Sequence, residues 1–400
     1  MSTSSAHHNT TAATTVAEEI STFETGKVAL ISMGHLVHDT YPAFLGPLLP
    51  LLTERLGLSL TLAGTLVSFL RSSALVQPFV GYIADRTSFR YFVILAPACT
   101  AILMSSLGLA PSYLVLVLFL MLAGVSHAAF HAPAPAMISR VAGKRLGKGM
   151  SFFMTGGELG RTLGPIYIVT VVTLLGLKGA YMAALPGILF SLVLYTLLTP
   201  LPMDAFRAPG MSLKRALRAR RRPLLLLMGF LTGRALTVSN LGVFLPIYFT
   251  SGGASLFVAG VAVSVYELAG ALGAFMGGTL SDRWGRRSVL LVAQLGAVPL
   301  LYAFMGSDGW FALALLAPVG LTILCTGAIG LTIVQELLPD SRSTAAGLYF
   351  SFNSMAMGLA PVLFGAVADS VGLATAFRYI VFVPLLTIPF ILGLPNTHAQ

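Results

Sequence analysis

Two histidines and one aspartate within residues 34–39, GHLVHD, are the side chains best suited to carry chemistry. They lie inside an apolar run, residues 28–52, that is long enough to cross a bilayer. On a helix, His35, His38 and Asp39 project from one face. A charge at the bilayer centre costs about 2.5–3.5 kcal/mol on insertion scales, so this face must contact protein or a water-filled cavity.

Three prolines follow this motif in the same run, namely Pro42, Pro47 and Pro50. Each proline removes a backbone donor, which a membrane helix tolerates only where neighbouring groups or water satisfy the freed carbonyls. The segment is therefore predicted to kink beside a cavity.

One role for these polar groups is a proton relay. Histidine titrates near neutral pH, so Asp39 with His35 or His38 could take up and release a proton in each functional cycle. Glu158, another acid in an apolar run, is the next candidate carrier.

A metal or metal-chelate site is the second role. His127 and His131 have the i, i+4 spacing of ligands on one helix, and His35 and Asp39 would complete the set. The third role is structural, with the histidines as hydrogen-bonded packing residues between kinked helices. The sequence leaves these three roles open.

The composition excludes a soluble globular domain. The 400 residues are 56% hydrophobic and 10% charged, and the mean hydropathy is +0.87. We therefore predict an all-α polytopic membrane protein with twelve spans. They are placed at residues 28–52, 60–84, 91–110, 113–139, 149–175, 179–201, 224–250, 256–280, 288–306, 310–335, 343–368 and 373–394.

The basic residues predict the orientation of these spans. With both termini cytoplasmic, 18 of the 24 Lys and Arg residues fall on the inner side, as the positive-inside rule requires. The net charge of +10 is then explained by anionic lipids of the inner leaflet and not by nucleic acid. The expected location is the inner, or plasma, membrane. The expected partners are lipids, protons and a small-molecule substrate, with the chain as a monomer.

The polar segments divide the chain. We predict a disordered cytoplasmic tail rich in Ser and Thr, two six-helix bundles, and a basic cytoplasmic linker with seven basic residues between positions 207 and 222. The corresponding ranges are residues 1–26, 27–201, 202–223 and 224–395, with a short tail at 396–400. Cys99 and Cys325 both fall within predicted helices, so no structural disulfide is expected.

The two halves repeat each other. GYIADRTSFR follows the second span and GGTLSDRWGRRS follows the eighth, with Asp85 and Asp282 separated by 197 positions. Pro165 and Pro361, in the fifth and eleventh spans, are separated by 196 positions. A duplicated six-helix unit with a cleft between its halves is the architecture of a rocking secondary transporter.

These loops resemble the motif of the major facilitator superfamily, and the resemblance extends over residues 27–395. The first copy has Ser88 where a glycine is usual. In that family the aspartate and the basic residues form a cytoplasmic gating network, and the resemblance implies the same role here. The matching residues are Gly81, Asp85, Arg86, Arg90, Gly278, Asp282, Arg283, Arg286 and Arg287.

Within the superfamily, four segments look like the fosmidomycin-resistance type of efflux protein: GHLVHD, VQPFVGYIADR, AAFHAPAPA and GMSFFMTGGELGRTLGP. The chain departs from that type at Ala132 and at the charged pair Glu158 and Arg161, so the resemblance does not extend to the substrate. Gly160, Gly164 and Pro165 match half of an antiporter signature, which favours export.

Three acids and three bases lie inside the predicted spans, which favours pairing within the bundle because breaking a buried pair costs about 3–5 kcal/mol. Glu158 and Arg161, spaced i, i+3, are expected to pair within one helix, and Arg234 with Glu267 across helices. Arg71 and Arg234 would be the natural anion contacts. The residues expected to bind substrate are Arg71, His127, His131, Arg161, Arg234, Asn240 and Glu267.

The sequence predicts a transporter and not an enzyme, because it contains no nucleotide loop, zincin pattern or serine nucleophile elbow. No cofactor is expected. The predicted function is proton-coupled efflux of a small organic, anionic drug or metabolite by alternating access. The alternatives are a metal or metal-chelate transporter that uses the histidine cluster, a proton-coupled organic-anion importer, and a receptor built on a transporter fold.

Overall fold

The computed structural model describes residues 23–72, 90–198, 218, 220–338 and 342–395, and within them it contains helices and no strand. Sixteen α-helices are described there. In the N-terminal half they are α1 Thr25–Thr40, α2 Leu45–Leu56, α3 Leu60–Arg71, α4 Arg90–Ser105, α5 Tyr113–His131, α6 Ala134–Val141, α7 Leu146–Gly179 and α8 Leu185–Leu198. In the C-terminal half they are α9 Arg221–Ser251, α10 Leu256–Trp284, α11 Arg286–Met305, α12 Gly309–Leu324, α13 Thr326–Leu337, α14 Arg342–Val371, α15 Leu373–Ile380 and α16 Val383–Gly393.

The predicted all-α membrane architecture is confirmed. Nine helical stretches of the described residues are long and apolar enough to cross a membrane. One of them, Lys148–Leu198, holds two predicted spans, since Gly176 has a φ of 74° and a 3-10 turn, Ala180–Ala184, precedes α8. The second predicted span is described only as far as Ser72, and its remainder lies outside the described residues, as do most of the predicted tails and linker.

Four predicted spans are broken and not continuous. The first span breaks at the 3-10 turn Pro42–Phe44, because a proline at the start of a new helical segment lacks the donor that would continue the old one. Breaks also occur at Ala132–Pro133 between α5 and α6, at Cys325 between α12 and α13, and just before Pro384 between α15 and α16. Pro50, in contrast, lies inside α2 and does not end it.

Buried apolar side chains form one core at one end of the bundle and two separate cores at the other. The shared core combines residues of both halves, such as Phe44, Leu49, Phe244 and Phe364. The end that contains the start of α1 has one core from the N-terminal half and another from the C-terminal half. We call the end with the shared core, which carries loops 57–59 and 252–255, the joined end.

Two hydrogen bonds cross between the halves at equivalent positions of the repeat. Ser68 Oγ donates to the carbonyl of Gly358 at 2.6 Å, and Ser264 Oγ donates to the carbonyl of Thr162 at 2.7 Å. The two serines are 196 positions apart, as are their two acceptors. The helix pairs α3–α14 and α10–α7 are therefore related by the internal repeat.

Glycines allow these helices to approach closely. A Cβ placed on Gly64 would lie 2.3 Å from the carbonyl oxygen of Pro361, and one on Gly260 would lie 3.2 Å from that of Pro165. These two contacts also differ by 196 positions. Small residues at such crossings let helix backbones touch, which is how membrane helices associate without a hydrophobic driving force.

The carboxylate of Asp369, on α14, adds a polar contact at the joined end. It accepts hydrogen bonds from the backbone N–H groups of Leu60 and Thr61, at 2.8 and 2.9 Å, and from Thr61 Oγ1 at 2.5 Å. These amides are among the donors that a helix leaves unpaired at its N-terminus. One half of the molecule therefore caps the first turn of α3 in the other.

Within the N-terminal half, α7 packs on the polar face of α1 through a row of glycines. Cβ atoms on Gly156, Gly160 and Gly164 would each lie 2.3 Å from a carbonyl oxygen of α1. The three carbonyls are those of Ser32, Leu36 and Thr40. This contact brings the backbone of α7 against the segment that carries the two histidines and the aspartate.

We predict that Gly156→Ala destabilises the protein by about 1–3 kcal/mol, the usual cost of inserting a methyl group into a packed site. The matched control is Gly296→Ala on α11, where a Cβ meets nothing within 4 Å. That variant should be neutral or slightly stabilising. Thermal unfolding of both purified proteins in one detergent measures the difference, and equal unfolding temperatures would contradict the close packing of α1 on α7.

Candidate functional site

Asp39 lies between two imidazoles at the centre of the N-terminal half. Its Oδ1 is 2.9 Å from Nε2 of His131 on α5, and its Oδ2 is 3.2 Å from Nε2 of His35. Nδ1 of His35 donates to the carbonyl of Phe153 on α7 at 2.7 Å. The contact with His131 has hydrogen-bond geometry, whereas Nε2 of His35 has no hydrogen-bond partner among the described residues. The predicted proximity of His35 and Asp39 is present, and the site extends to a second helix.

His38 and His127 complete a cluster around this carboxylate. The ring centroid of His38 lies 5.4 Å from that of His127 and 4.5 Å from that of Phe130. His38 is 0% exposed, and neither of its ring nitrogens has a hydrogen-bond partner among the described residues. Nδ1 of His127 is also buried and has no hydrogen-bond partner among the described residues.

The residues that could hold a metal differ in one member from the predicted set. Ligand atoms of His38, Asp39, His127 and His131 lie within 4.8 Å of one another. The predicted set had His35 in place of His38. His35 lies beside this group but outside it; its Nδ1 donates to the Phe153 carbonyl and its ring stacks on that of Phe153 at 4.0 Å.

A second charged cluster joins the two halves. Arg161 on α7 forms an ion pair with Glu158 one turn earlier, as predicted. Nε of Arg161 also lies 3.8 Å from the carboxylate of Glu267 on α10. The guanidinium is therefore shared between one carboxylate of its own helix and one from the opposite half.

The predicted pairing of Arg234 with Glu267 is wrong. Nε of Arg234 donates to Thr326 Oγ1 at 3.0 Å, and Nη1 donates to Asn353 Oδ1 at 3.4 Å. Gly327 lies against this guanidinium, since a Cβ there would be 2.8 Å from Nη2 of Arg234. The partners are uncharged residues of α13 and α14, so Arg234 keeps its full positive charge inside the bundle.

Arg71, at the end of α3, has no hydrogen bond or ion pair with any residue that the structure describes. Its Cβ lies 3.5 Å from where a Cβ on Gly358 would be. Its charge is within electrostatic range of Arg161, Glu267 and Arg234.

Two further polar groups of the C-terminal half are unpartnered among the described residues. Nδ2 of Asn240 donates to the carbonyl of Leu236 at 2.7 Å, while its Oδ1 is buried without a partner. The hydroxyl of Tyr266, beside Glu267, is also buried without a partner. Tyr266 was missed by sequence reasoning, because a lone tyrosine in an apolar helix is not distinguishable there from a packing residue.

The second copy of the repeated loop forms a charge network. Arg286 donates to Asp282 and to Ser281 Oγ, and its Nη2 lies 3.0 Å from the carboxylate of Glu336 on α13. Gly285, between α10 and α11, has a φ of 85°, which favours glycine. Glu336 was missed because it lies far from the repeated motif in sequence.

Of the other predicted gating residues, four lie in the part of the chain that the structure describes. Arg283 is exposed, Arg287 is half-buried, and a Cβ on Gly278 would meet nothing within 4 Å. In the first copy, Arg90 opens α4 and its guanidinium lies 5.0 Å from the ring of Tyr91. Gly81, Asp85 and Arg86 lie outside the described residues.

Comparison with known proteins agrees with this architecture. The family model of the Major Facilitator Superfamily matches residues 31–253 and 234–399. The uncharacterized MFS-type transporter YfnC of Bacillus subtilis is 26% identical over 371 residues, which cover 90% of each chain. The fosmidomycin resistance protein of Escherichia coli is 25% identical over 395 residues, covering 93% of this chain and 94% of that protein. The multidrug resistance protein MdtG of Salmonella is 29% identical, covering 83% of this chain and 86% of that protein.

Solved structures share the fold. A bacterial homolog of the human lysosomal transporter Spinster superposes with a TM-score of 0.80 at 17% identity, over 93% of this chain and 97% of that one. The nucleoside transporter NupG superposes with a TM-score of 0.74 at 16% identity, over 92% of this chain and 100% of that one. Since the family model covers nearly all of the described helices, the chain belongs to the Major Facilitator Superfamily of membrane transporters.

Proposed function

We propose that this transporter exports a small organic molecule in exchange for protons, by alternating access. The observation that carries the proposal is the position of Arg161, which is shared between Glu158 and, across the two halves, Glu267. The names of two relatives, a fosmidomycin resistance protein and a multidrug resistance protein, favour export as the direction.

Protonation of Glu267 would change the contact between the halves. A neutral carboxyl attracts the guanidinium of Arg161 less than a carboxylate does, so proton uptake weakens a contact that bridges α7 and α10. Arg71, Arg234 and Glu158 are the other charges within range of Glu267. Coupling at Glu158 and Glu267 does not require the relay predicted at Asp39, His35 and His38, and that relay stays a prediction.

The substrate would carry an anionic group. The guanidinium of Arg71, which has no partner among the described residues, offers the planar, bidentate donor that carboxylates and phosphonates prefer. Arg234 adds a charge that forms no ion pair with a described carboxylate. Asn240 Oδ1 can accept a hydrogen bond from the substrate and the Tyr266 hydroxyl can donate one.

Exchange with protons follows if the same substrate also donates a hydrogen bond to Glu267. A donor group of the substrate and a proton would then compete for one carboxylate, so binding of either displaces the other. The substrate class supported best is therefore a small molecule with an anionic group and a hydroxyl, amide or ammonium donor.

The joined end defines the conformational state. If both termini are cytoplasmic, as the positive-inside rule predicts, the joined end faces the outside and the chain is inward-facing. The opposite state requires the contacts of the joined end to open while the two separate cores approach each other. Rocking of two repeats about a central site is the general mechanism for such folds.

The coupling is tested with Glu267→Gln in proteoliposomes. This variant should lose accumulation driven by a pH gradient but retain substrate exchange, because glutamine keeps the shape of the side chain without its titration. Substrate affinity in wild-type protein should fall as the pH falls, and this dependence should vanish in Glu267→Gln.

Glu54→Gln is the matched control, since Glu54 is exposed on α2 and away from the cluster. It should transport like wild type. Unchanged proton-driven transport in both Glu267→Gln and Glu158→Gln would remove the coupling role of this cluster. A substrate affinity of wild-type protein that rises at low pH would indicate import together with protons. Absence of any substrate flux through wild-type protein would indicate a receptor.

The anion contact is tested with Arg71→Gln. Loss of a charge-assisted contact of about 1.5–3 kcal/mol should weaken substrate binding about 10- to 100-fold. The probes are a panel of phosphonates and organic acids that includes fosmidomycin, first ranked by thermal shift on wild-type protein. Arg378→Gln, at an exposed position of α15, should bind like wild type. Equal affinities of Arg71→Gln and Arg378→Gln would exclude Arg71 from the binding site.

Alternating access is tested with the double variant Ser68→Ala, Ser264→Ala. Removing two hydrogen bonds of about 0.5–1.5 kcal/mol each should shift the population about tenfold away from the state with a joined end. Spin labels at Glu54 and Ser251, which line a small cleft between α2 and α9, should then report longer distances. Ser307→Ala, which removes a hydrogen bond within α11 and the turn after it, should leave the distances unchanged.

A further inference from the structure

We infer that His38, Asp39, His127 and His131 form a binding site for a divalent transition-metal ion of the zinc type. Each residue offers one ligand atom, and these atoms all lie within 4.8 Å of one another. Two of the residues come from α1 and two from α5. The site is separate from the Arg161 cluster that supports the transport proposal.

The donor set selects the class of metal. Neutral imidazoles with one carboxylate suit Zn²⁺ and its neighbours, whereas Ca²⁺ and Mg²⁺ prefer oxygen ligands only. Tetrahedral zinc with bonds of about 2.0–2.1 Å holds its ligand atoms about 3.3 Å apart. The four groups therefore need to approach by at most about 1.5 Å, which rotation of the imidazole rings can supply.

Unpartnered buried nitrogens give independent support. His38 is 0% exposed, and neither its Nδ1 nor its Nε2 has a hydrogen-bond partner among the described residues. Nδ1 of His127 is also buried without a hydrogen-bond partner among the described residues. A buried polar atom without a partner costs about 1–3 kcal/mol, and a coordinated metal ion would remove that cost.

A supporting contact orients the carboxylate ligand. His35 donates through Nδ1 to the Phe153 carbonyl, and its Nε2 faces Oδ2 of Asp39 at 3.2 Å. This arrangement leaves Oδ1 of Asp39 directed at His131 and the cluster. Metal sites commonly position their ligating carboxylates with further polar side chains around them.

Burial of the ligands favours an ion that resides in the site over a transported cargo. Arg71 lies within electrostatic range of His127, and Arg161 within that of Asp39. A bare cation that crosses the cavity would meet both guanidiniums. His38 and Asp39 are buried, and the side chain of His131 is 22% exposed. Exchange of the ion with solvent should therefore be slow.

The test measures zinc binding to purified full-length protein that carries an affinity tag without histidine. After treatment with a chelator and its removal, titration calorimetry with ZnCl₂ should give one Zn²⁺ per chain. His127→Gln and His38→Gln should each weaken binding at least tenfold. His35→Gln should weaken zinc binding about 10- to 100-fold, because His35 contacts Asp39 and orients it.

The control is the double variant His7→Gln, His8→Gln, because adjacent histidines in the N-terminal tail can bind metal nonspecifically. It should bind one Zn²⁺ with unchanged affinity. Loss of binding in this variant, or stoichiometric binding that survives both His38→Gln and His127→Gln, would overturn the assignment. Absence of stoichiometric binding to wild type would overturn it as well.

Co²⁺ provides a readout that does not depend on the variants being folded. Wild-type protein loaded with Co²⁺ should show the intense visible absorption of a four-coordinate ion, whereas a six-coordinate spectrum would contradict the closed ligand set. Zn²⁺ should raise the unfolding temperature of wild type but not of His127→Gln. Movement of ⁶⁵Zn²⁺ across proteoliposomes would show that the ion is cargo and would overturn the resident role.

Discussion

The cost of placing charge inside an apolar bundle determines how the central helices pack. Of the three guanidiniums in the spans, Arg161 is neutralised by carboxylates from both halves, and Arg234 is held by uncharged partners. Arg71 has no partner among the described residues. Such a site persists only beside a cavity or a ligand, because a buried unpaired charge is otherwise strongly destabilising. The different surroundings of these three like charges are the reason that we propose a binding site in this region.

The internal repeat explains why the same scaffold carries different chemistry in its two halves. Arg71 and Glu267 are 196 positions apart, as are His38 and Arg234, so these groups occupy equivalent positions of the duplicated unit. The interhalf hydrogen bonds of Ser68 and Ser264 obey the same offset. Backbone contacts of the joined end are thus symmetric, whereas the charges are not. Symmetric contacts favour two states of similar energy, and the asymmetric charges give a proton or a ligand a way to select between them.

Hydropathy and proline positions predicted the spans and the first kink, because both depend on local chain chemistry. The proximity of Asp39 to His35 was predictable from helical spacing, and so was the pair Glu158 with Arg161. The partner of Arg234 was not predictable, since Thr326 and Asn353 are uncharged and lie more than 90 positions away in the chain. His38 replaced His35 in the metal-binding group because of one backbone carbonyl, that of Phe153, on another helix. Choices between neighbouring side chains depend on packing that sequence patterns do not encode.

Two electrostatic effects of opposite sign decide whether protons and substrate exchange or travel together. An anion at Arg71 removes positive charge near Glu267 and so favours its protonation, which couples proton and substrate in one direction. A donor group of the substrate on the Glu267 carboxylate opposes protonation, which couples them in opposite directions. Two charges about 8 Å apart across water interact by about 0.5 kcal/mol, whereas a direct hydrogen bond to a carboxylate contributes about 1.5–3 kcal/mol. In a hydrated cavity the direct contact is therefore the stronger of the two effects, which is why we propose exchange of protons and substrate.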